Sequence, residues 1–63
     1  MNERKLIGKR NEVGLTQEQI AKEMGINPAT YRLKEQGRRD FTASELVMLC
    51  KILKVDINYF FEK

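Results

Sequence analysis

Glycines at positions 14, 25 and 37 mark off three short segments of near-equal length and a longer final one. Each is followed shortly by a residue suited to opening a helix: Thr16, Asn27 and Thr42. Glycine closes a helix because it enters the left-handed region without a Cβ clash. Thr or Asn opens one because its side-chain oxygen accepts the free N–H groups of the first turn. The partners of these caps are also in place. Gln19 stands three residues after Thr16 and Glu45 three after Thr42, the spacing of a capping box. Pro28 follows Asn27 at a first helical position. Apolar pairs flank each start as hydrophobic staples: Leu15 with Ile20, Ile26 with Tyr31, Phe41 with Leu46, and Val55 with Phe60 around the Asp56 cap.

Between these marks the apolar residues recur at steps of three and four, the helical period. The pattern predicts an all-α chain with five helices at about 2–13, 17–24, 28–36, 43–53 and 57–61. Gly8 falls inside the first and is read as tolerated there without a role. The predicted core is Leu6, Ile20, Ala21, Met24, Ile26, Tyr31, Leu46, Leu49, Cys50, Leu53, Ile57 and Phe60. Cys50 is expected to be a buried, inert thiol within it.

Size and composition exclude much. At 63 residues the chain is expected to be a single domain over 1–63. A chain of this size buries only about 60% of its unfolded surface, so packing and caps must suffice with no disulfide. One cysteine and no recognisable leader lead us to expect a reducing, cytoplasmic setting. No apolar run approaches the roughly 20 residues that span a bilayer. Without His the commonest metal ligand is missing, one Cys cannot build a zinc site by itself, and so small a chain has little room for a substrate cavity. We therefore expect no enzyme activity, no cofactor, no metal and no small-molecule substrate. The charge is lopsided. Residues 1–39 carry nine basic and five acidic groups, net +4, whereas residues 40–63 carry three and four, net −1. Such a bias either faces a polyanion or merely solubilises the surface.

The second and third predicted helices are joined by only a few residues around Gly25-Ile26-Asn27. Ala21 is small enough to let the two helices approach, and Ile20, Met24, Ile26 and Tyr31 supply contacts that set their angle. This is the pattern of a helix-turn-helix, whose second helix is offered to the DNA major groove.

The run from Leu15 to Asn27 (LTQEQIAKEMGIN) resembles the phage repressor and Cro type of helix-turn-helix domain. Glu35-Gln36-Gly37-Arg38-Arg39 and the closing Leu53-Lys54-Val55-Asp56-Ile57-Asn58-Tyr59-Phe60 are similar to the same family, so the likeness covers nearly the whole chain. It implies a compact five-helix bundle of the lambda-repressor-like type, with helices two and three as the helix-turn-helix. It also implies a transcriptional regulator that binds a palindromic double-stranded operator as a homodimer, joined through its C-terminal helix and the preceding loop. By the same resemblance Gln17 meets a phosphate. Asn27, Pro28, Ala29 and Thr30 begin the recognition helix. Arg32, Leu33 and Gln36 lie on its outward face, and Arg38 and Arg39 lie along the DNA backbone.

Physical chemistry supports these roles independently. Base edges are read by side chains near a helix N-terminus, and phosphates are met by arginine and helix N–H groups. Arg32 either pairs with guanine O6 and N7 or binds a phosphate. Pro28, Ala29 and Leu33 stand where many relatives carry long polar groups. They cannot form bidentate hydrogen bonds, but they can touch thymine methyls, so DNA shape should carry part of the specificity. Alternatively, Leu33 packs inside the domain. Lys34 and Lys9 stand where the family commonly has apolar residues. We expect Lys34 to lay its stem on the core and raise its ammonium to water or phosphate. Arg10 and Glu35 either form an internal pair or leave Arg10 for a phosphate.

A second reading rests on the apolar excess of Val47, Met48, Ile52, Tyr59 and Phe61 near the C-terminus. Such a surface suits a protein–protein interaction module, an antitoxin-like or anti-regulator partner with a silent DNA face.

Overall fold

The computed structural model describes residues 1–62. The elements run α1 (Glu3–Val13), α2 (Gln17–Met24), α3 (Pro28–Glu35), α4 (Ala43–Leu53) and a terminal 3-10 helix (Ile57–Phe61). The expectation of five helices is corrected in one respect. Four are α-helices, and the last is a single 3-10 segment, closed by the Tyr59 N–H donating to the Asp56 carbonyl at 2.9 Å. Five residues are too few to sustain an α-helix, and the tighter 3-10 turn is the usual form for so short a piece.

The expected caps form. Thr16 and Thr42 each make a full capping box, with Gln19 and Glu45 reaching back to the cap N–H. Asn27 accepts from the Ala29 N–H at 2.8 Å, with Pro28 opening α3. Each such cap contributes about 1 kcal/mol. Past the end of α3, Gly37 has φ 78°, its N–H bonds the Lys34 carbonyl, and the Arg38 N–H bonds the Leu33 carbonyl. That pair of bonds satisfies the last carbonyls of α3 and turns the chain toward α4.

α4 ends on Lys54, a lysine at φ 58° and ψ 47°. A residue with a Cβ is strained there by about 1–2 kcal/mol, and its side chain is exposed. Lys54→Gly is therefore expected to raise stability by about 1 kcal/mol, a rise of several degrees in the melting midpoint. A midpoint that stays put would show that no strain is held there.

The core consists of Leu6, Ile20, Ala21, Met24, Tyr31, Leu49, Leu53 and Phe60, with Ile26, Leu46 and Cys50 partly buried against it. Ile57 is the exception among the expected core residues, at 39% exposed. The Asn2 N–H donates to the Phe60 carbonyl at 2.6 Å and draws the end of the 3-10 helix onto α1. Its first residue, Ile57, is left at the rim of a shallow cleft of about 320 Å³ with Val47, Cys50, Lys51, Val55 and Asp56. Burial there pushes the Cys50 thiol pKa upward, and the Asp56 charge adds to the effect. No described helix is long and apolar enough to cross a membrane.

Candidate nucleic-acid interface

α3 has two opposed faces. Tyr31, Lys34 and Glu35 are buried, whereas Ala29, Arg32 and Gln36 are exposed and Thr30 and Leu33 are half-buried. The 3.6-residue period puts 29, 32, 33 and 36 on one stripe. Leu33 is not among the hydrophobics packed on the core, so its side chain belongs to the outer face. The one carboxylate of α3, Glu35, points inward. The outer stripe thus presents an arginine, an amide and apolar groups, and α3 adds no negative charge to it.

Four donors hold Glu35 in place. Arg10 Nε donates to Oε2 at 2.8 Å and Arg10 Nη2 to Oε1 at 3.1 Å. The Tyr31 hydroxyl donates to Oε2 at 2.6 Å, and Gln17 Nε2 donates to Oε1 at 3.0 Å. Arg10 Nη1 also reaches the Leu15 carbonyl at 2.7 Å. The internal alternative for Arg10 is therefore the one adopted, and Arg10 is only 8% exposed. One buried carboxylate joins α1, α2 and α3 and sets how far α3 projects. The helical period places Tyr31 in the core and says nothing of its hydroxyl. The i,i+4 spacing to Glu35 is the one sequence signal for that bond.

Burial by itself would raise the Glu35 pKa, but the bonds from Arg10, Tyr31 and Gln17 outweigh it and hold the carboxyl below its ordinary 4.5. Burial, reinforced by the bond to Glu35, pushes the Tyr31 phenol upward. The hydrogen bond to Glu35 exceeds the desolvation cost at Arg10 and raises its pKa.

Lys34 corrects a second expectation. Its stem is buried as expected, but its ammonium does not reach solvent. It pairs with Glu45 and lies 5.9 Å from the centre of the Phe41 ring. Glu45 also accepts from the Thr42 N–H at 2.8 Å, so one carboxylate both caps α4 and fastens α3 to it. Burial tends to raise the Glu45 pKa, but the Lys34 bond and the cap lower it overall. The segment between α3 and α4 is thus fixed at both ends and carries Arg38 and Arg39 exposed. Lys9 pairs with Glu12 at 3.0 Å and lies over the Tyr59 ring, shared with Lys5.

Glu35 and Glu45 have lowered pKa values in the folded chain, so the unfolded chain takes up their protons first as the pH drops. Their contribution is present above about pH 4.5 and is lost as the pH falls through the lowered values. Thermal melts are expected to show a near-constant midpoint from about pH 7 to 5 and a steep fall below about 4.5. A midpoint flat to about pH 3 would contradict both assignments.

All ten residues singled out in the sequence are at least partly accessible. Gln17, Pro28, Thr30 and Leu33 are half-buried, and Asn27, Ala29, Arg32, Gln36, Arg38 and Arg39 are exposed. Three are already engaged within the protein. Asn27 caps α3, and Gln17 bonds both Glu35 and Arg32. Among the described residues no group of three His, Cys, Asp or Glu side chains is placed to hold a metal ion. A helix-turn-helix family model matches residues 7–60. Searches of the curated proteins and of the solved structures found no match.

Proposed function

Because the chain belongs to the Cro/C1-type helix-turn-helix family of DNA-binding regulators, we propose that it is a repressor that occupies a palindromic operator as a homodimer and blocks transcription sterically. The free outer stripe of α3, with its carboxylate turned inward, carries this reading. A helix of this width fits the major groove. Arg32 and Leu33 would read base edges, with Pro28, Ala29 and Thr30 near the groove floor at the helix start and Gln36 one turn beyond. Gln17, Asn27, Arg38 and Arg39 would meet the sugar–phosphate backbone. The chain would act as one domain, in the cytoplasm, with no catalytic step.

For dimerisation we favour the C-terminal helix and the loop preceding it, together with the face of α4 beside them. Val47 is 50% exposed and Ile57 39% at the cleft rim, and the same rim carries Lys51 and Asp56. Opposite charges flanking an apolar centre suit a twofold contact in which each meets its counterpart. The exposed apolar side chains there, and Phe61 at 56% exposed, are what favour a protein-interaction module as the second reading.

Selection of bound duplexes from random DNA tests the proposal. The expected outcome is an enriched inverted repeat whose half-sites lie about 10–10.5 base pairs apart. An enriched single half-site would retain DNA binding and remove the dimer. Absence of enrichment, with no duplex binding tighter than about micromolar at low salt, would favour the interaction module.

A further inference from the structure

We propose that Gln17 is the positioning residue for Arg32, with the buried Glu35 dictating which way the Gln17 amide faces. Arg32 Nε donates to Gln17 Oε1 at 3.3 Å, and Gln17 Nε2 donates to Glu35 Oε1 at 3.0 Å. A primary amide donates at one end and accepts at the other, and an ionised carboxylate only accepts. With Glu35 on one side, the Gln17 nitrogen must face inward, because a reversed amide would set two acceptors against each other. The carbonyl oxygen is thereby turned outward, toward the exposed arginine.

The consequence for Arg32 is specific. Its guanidinium has five N–H donors in a planar fork. The Nε donor is taken by Gln17, so the two terminal nitrogens are left facing outward together. They form the end-on pair that can meet O6 and N7 of one guanine, whereas the side-on pair, which needs Nε, is occupied. The tether also restricts a long side chain before it meets DNA, which lowers the ordering cost of the contact. It spans α2 and α3, and the Glu35 that orients it is itself fixed by Arg10 from α1 and by Tyr31 one turn earlier in α3. Base choice at one pair of the half-site is thus linked to an ion pair inside the domain.

The tether itself does not depend on DNA, whereas its effect on base choice rests on the duplex-binding reading above. Two measurements keep them apart. In ¹⁵N-labelled protein without DNA, the Arg32 Nε–H should exchange with water about tenfold more slowly than those of Arg38 and Arg39. Gln17→Ala should abolish the difference. On duplexes, Arg32→Ala identifies the base pair that Arg32 reads. At that pair Gln17→Ala should lower the preference about fivefold, and it should add nothing in the Arg32→Ala background. A merely structural Gln17, or one that only meets a phosphate, would lower the melting midpoint or weaken all duplexes alike and leave the preference intact, which would overturn the proposal. An Arg32 Nε–H as fast as that of Arg38 would also overturn it. If the wild-type chain binds no duplex, the functional reading fails and the effect on base choice fails with it, but the exchange rate still reports the tether.

Discussion

Glu35→Ala is expected to leave the chain largely unfolded at ordinary temperature. The carboxylate accepts four hydrogen bonds from three helices and is only 2% exposed. Its removal strands the Arg10 guanidinium, the Tyr31 hydroxyl and the Gln17 amide, the first two in buried residues. Breaking one partner of a buried pair costs about 3–5 kcal/mol, because the other charge stays without compensation. A domain of this length has a total stability of only about 3–9 kcal/mol. The loss is therefore comparable to the whole. Circular dichroism on heating measures it, and a midpoint within a few degrees of wild type would show that the pair contributes little. Arg10→Met combined with Glu35→Leu supplies the control. Replacing both charges with apolar groups removes the stranded cation, so the double variant should recover much of what Glu35→Ala loses. If the double variant were as unstable as the single one, lost packing and not the buried charge would be the cause.

Duplex affinity is expected to fall about a thousandfold between 50 and 200 mM salt, the loss that accompanies about six neutralised phosphates. Arg38 and Arg39 supply two per protomer, and a dimer doubles that count to four before helix N-termini are added. The two residues are exposed on a segment anchored by Gly37 and its Lys34 bond at one end and by the Thr42–Glu45 box at the other. They can therefore meet a backbone with little ordering cost. Replacing both with Ala should reduce the slope of log affinity against log salt by about two per protomer. It should weaken every sequence alike. Fluorescence anisotropy on one selected and one random duplex measures both. A changed base preference with an unchanged slope would assign these arginines to base reading and Arg32 to the backbone.

Much of the architecture is legible in the amino-acid order, because its signals are local. Thr16 and Thr42 declare their boxes through a residue three positions on, and Asn27 through the proline beside it. These contacts lie within one turn of chain, so spacing alone predicts them. Apolar periodicity places the end of α4 correctly, but the strained Lys54 that makes the turn carries no local mark. Ile57 escapes for a related reason. Periodicity gives the apolar side of an element and not which neighbour covers it, and the Asn2 bond to Phe60 tips the terminal helix so that its first residue faces outward.

The candidate interface divides in the same way. The outward stripe of α3 follows from the helical period, so Ala29, Arg32, Leu33 and Gln36 group together from their numbers alone. Side-chain partners far apart in sequence do not. Lys34 meets Glu45 and Gln17 meets Glu35 only because helices converge, and a charged residue reads as solvent-facing until a buried partner is seen.

By itself the amino-acid order determined where helices start and stop, which side of each is apolar, and the kinship with repressor-type domains. Those properties arise from interactions within a few residues, whose free energies depend little on the rest of the chain. Only the tertiary structure decided that Glu35 fastens α3 to α1 and α2, that Lys34 turns inward, and that Arg32 is held by Gln17. Such bonds form only once distant segments have been brought together, and their worth depends on the low dielectric that folding creates around them.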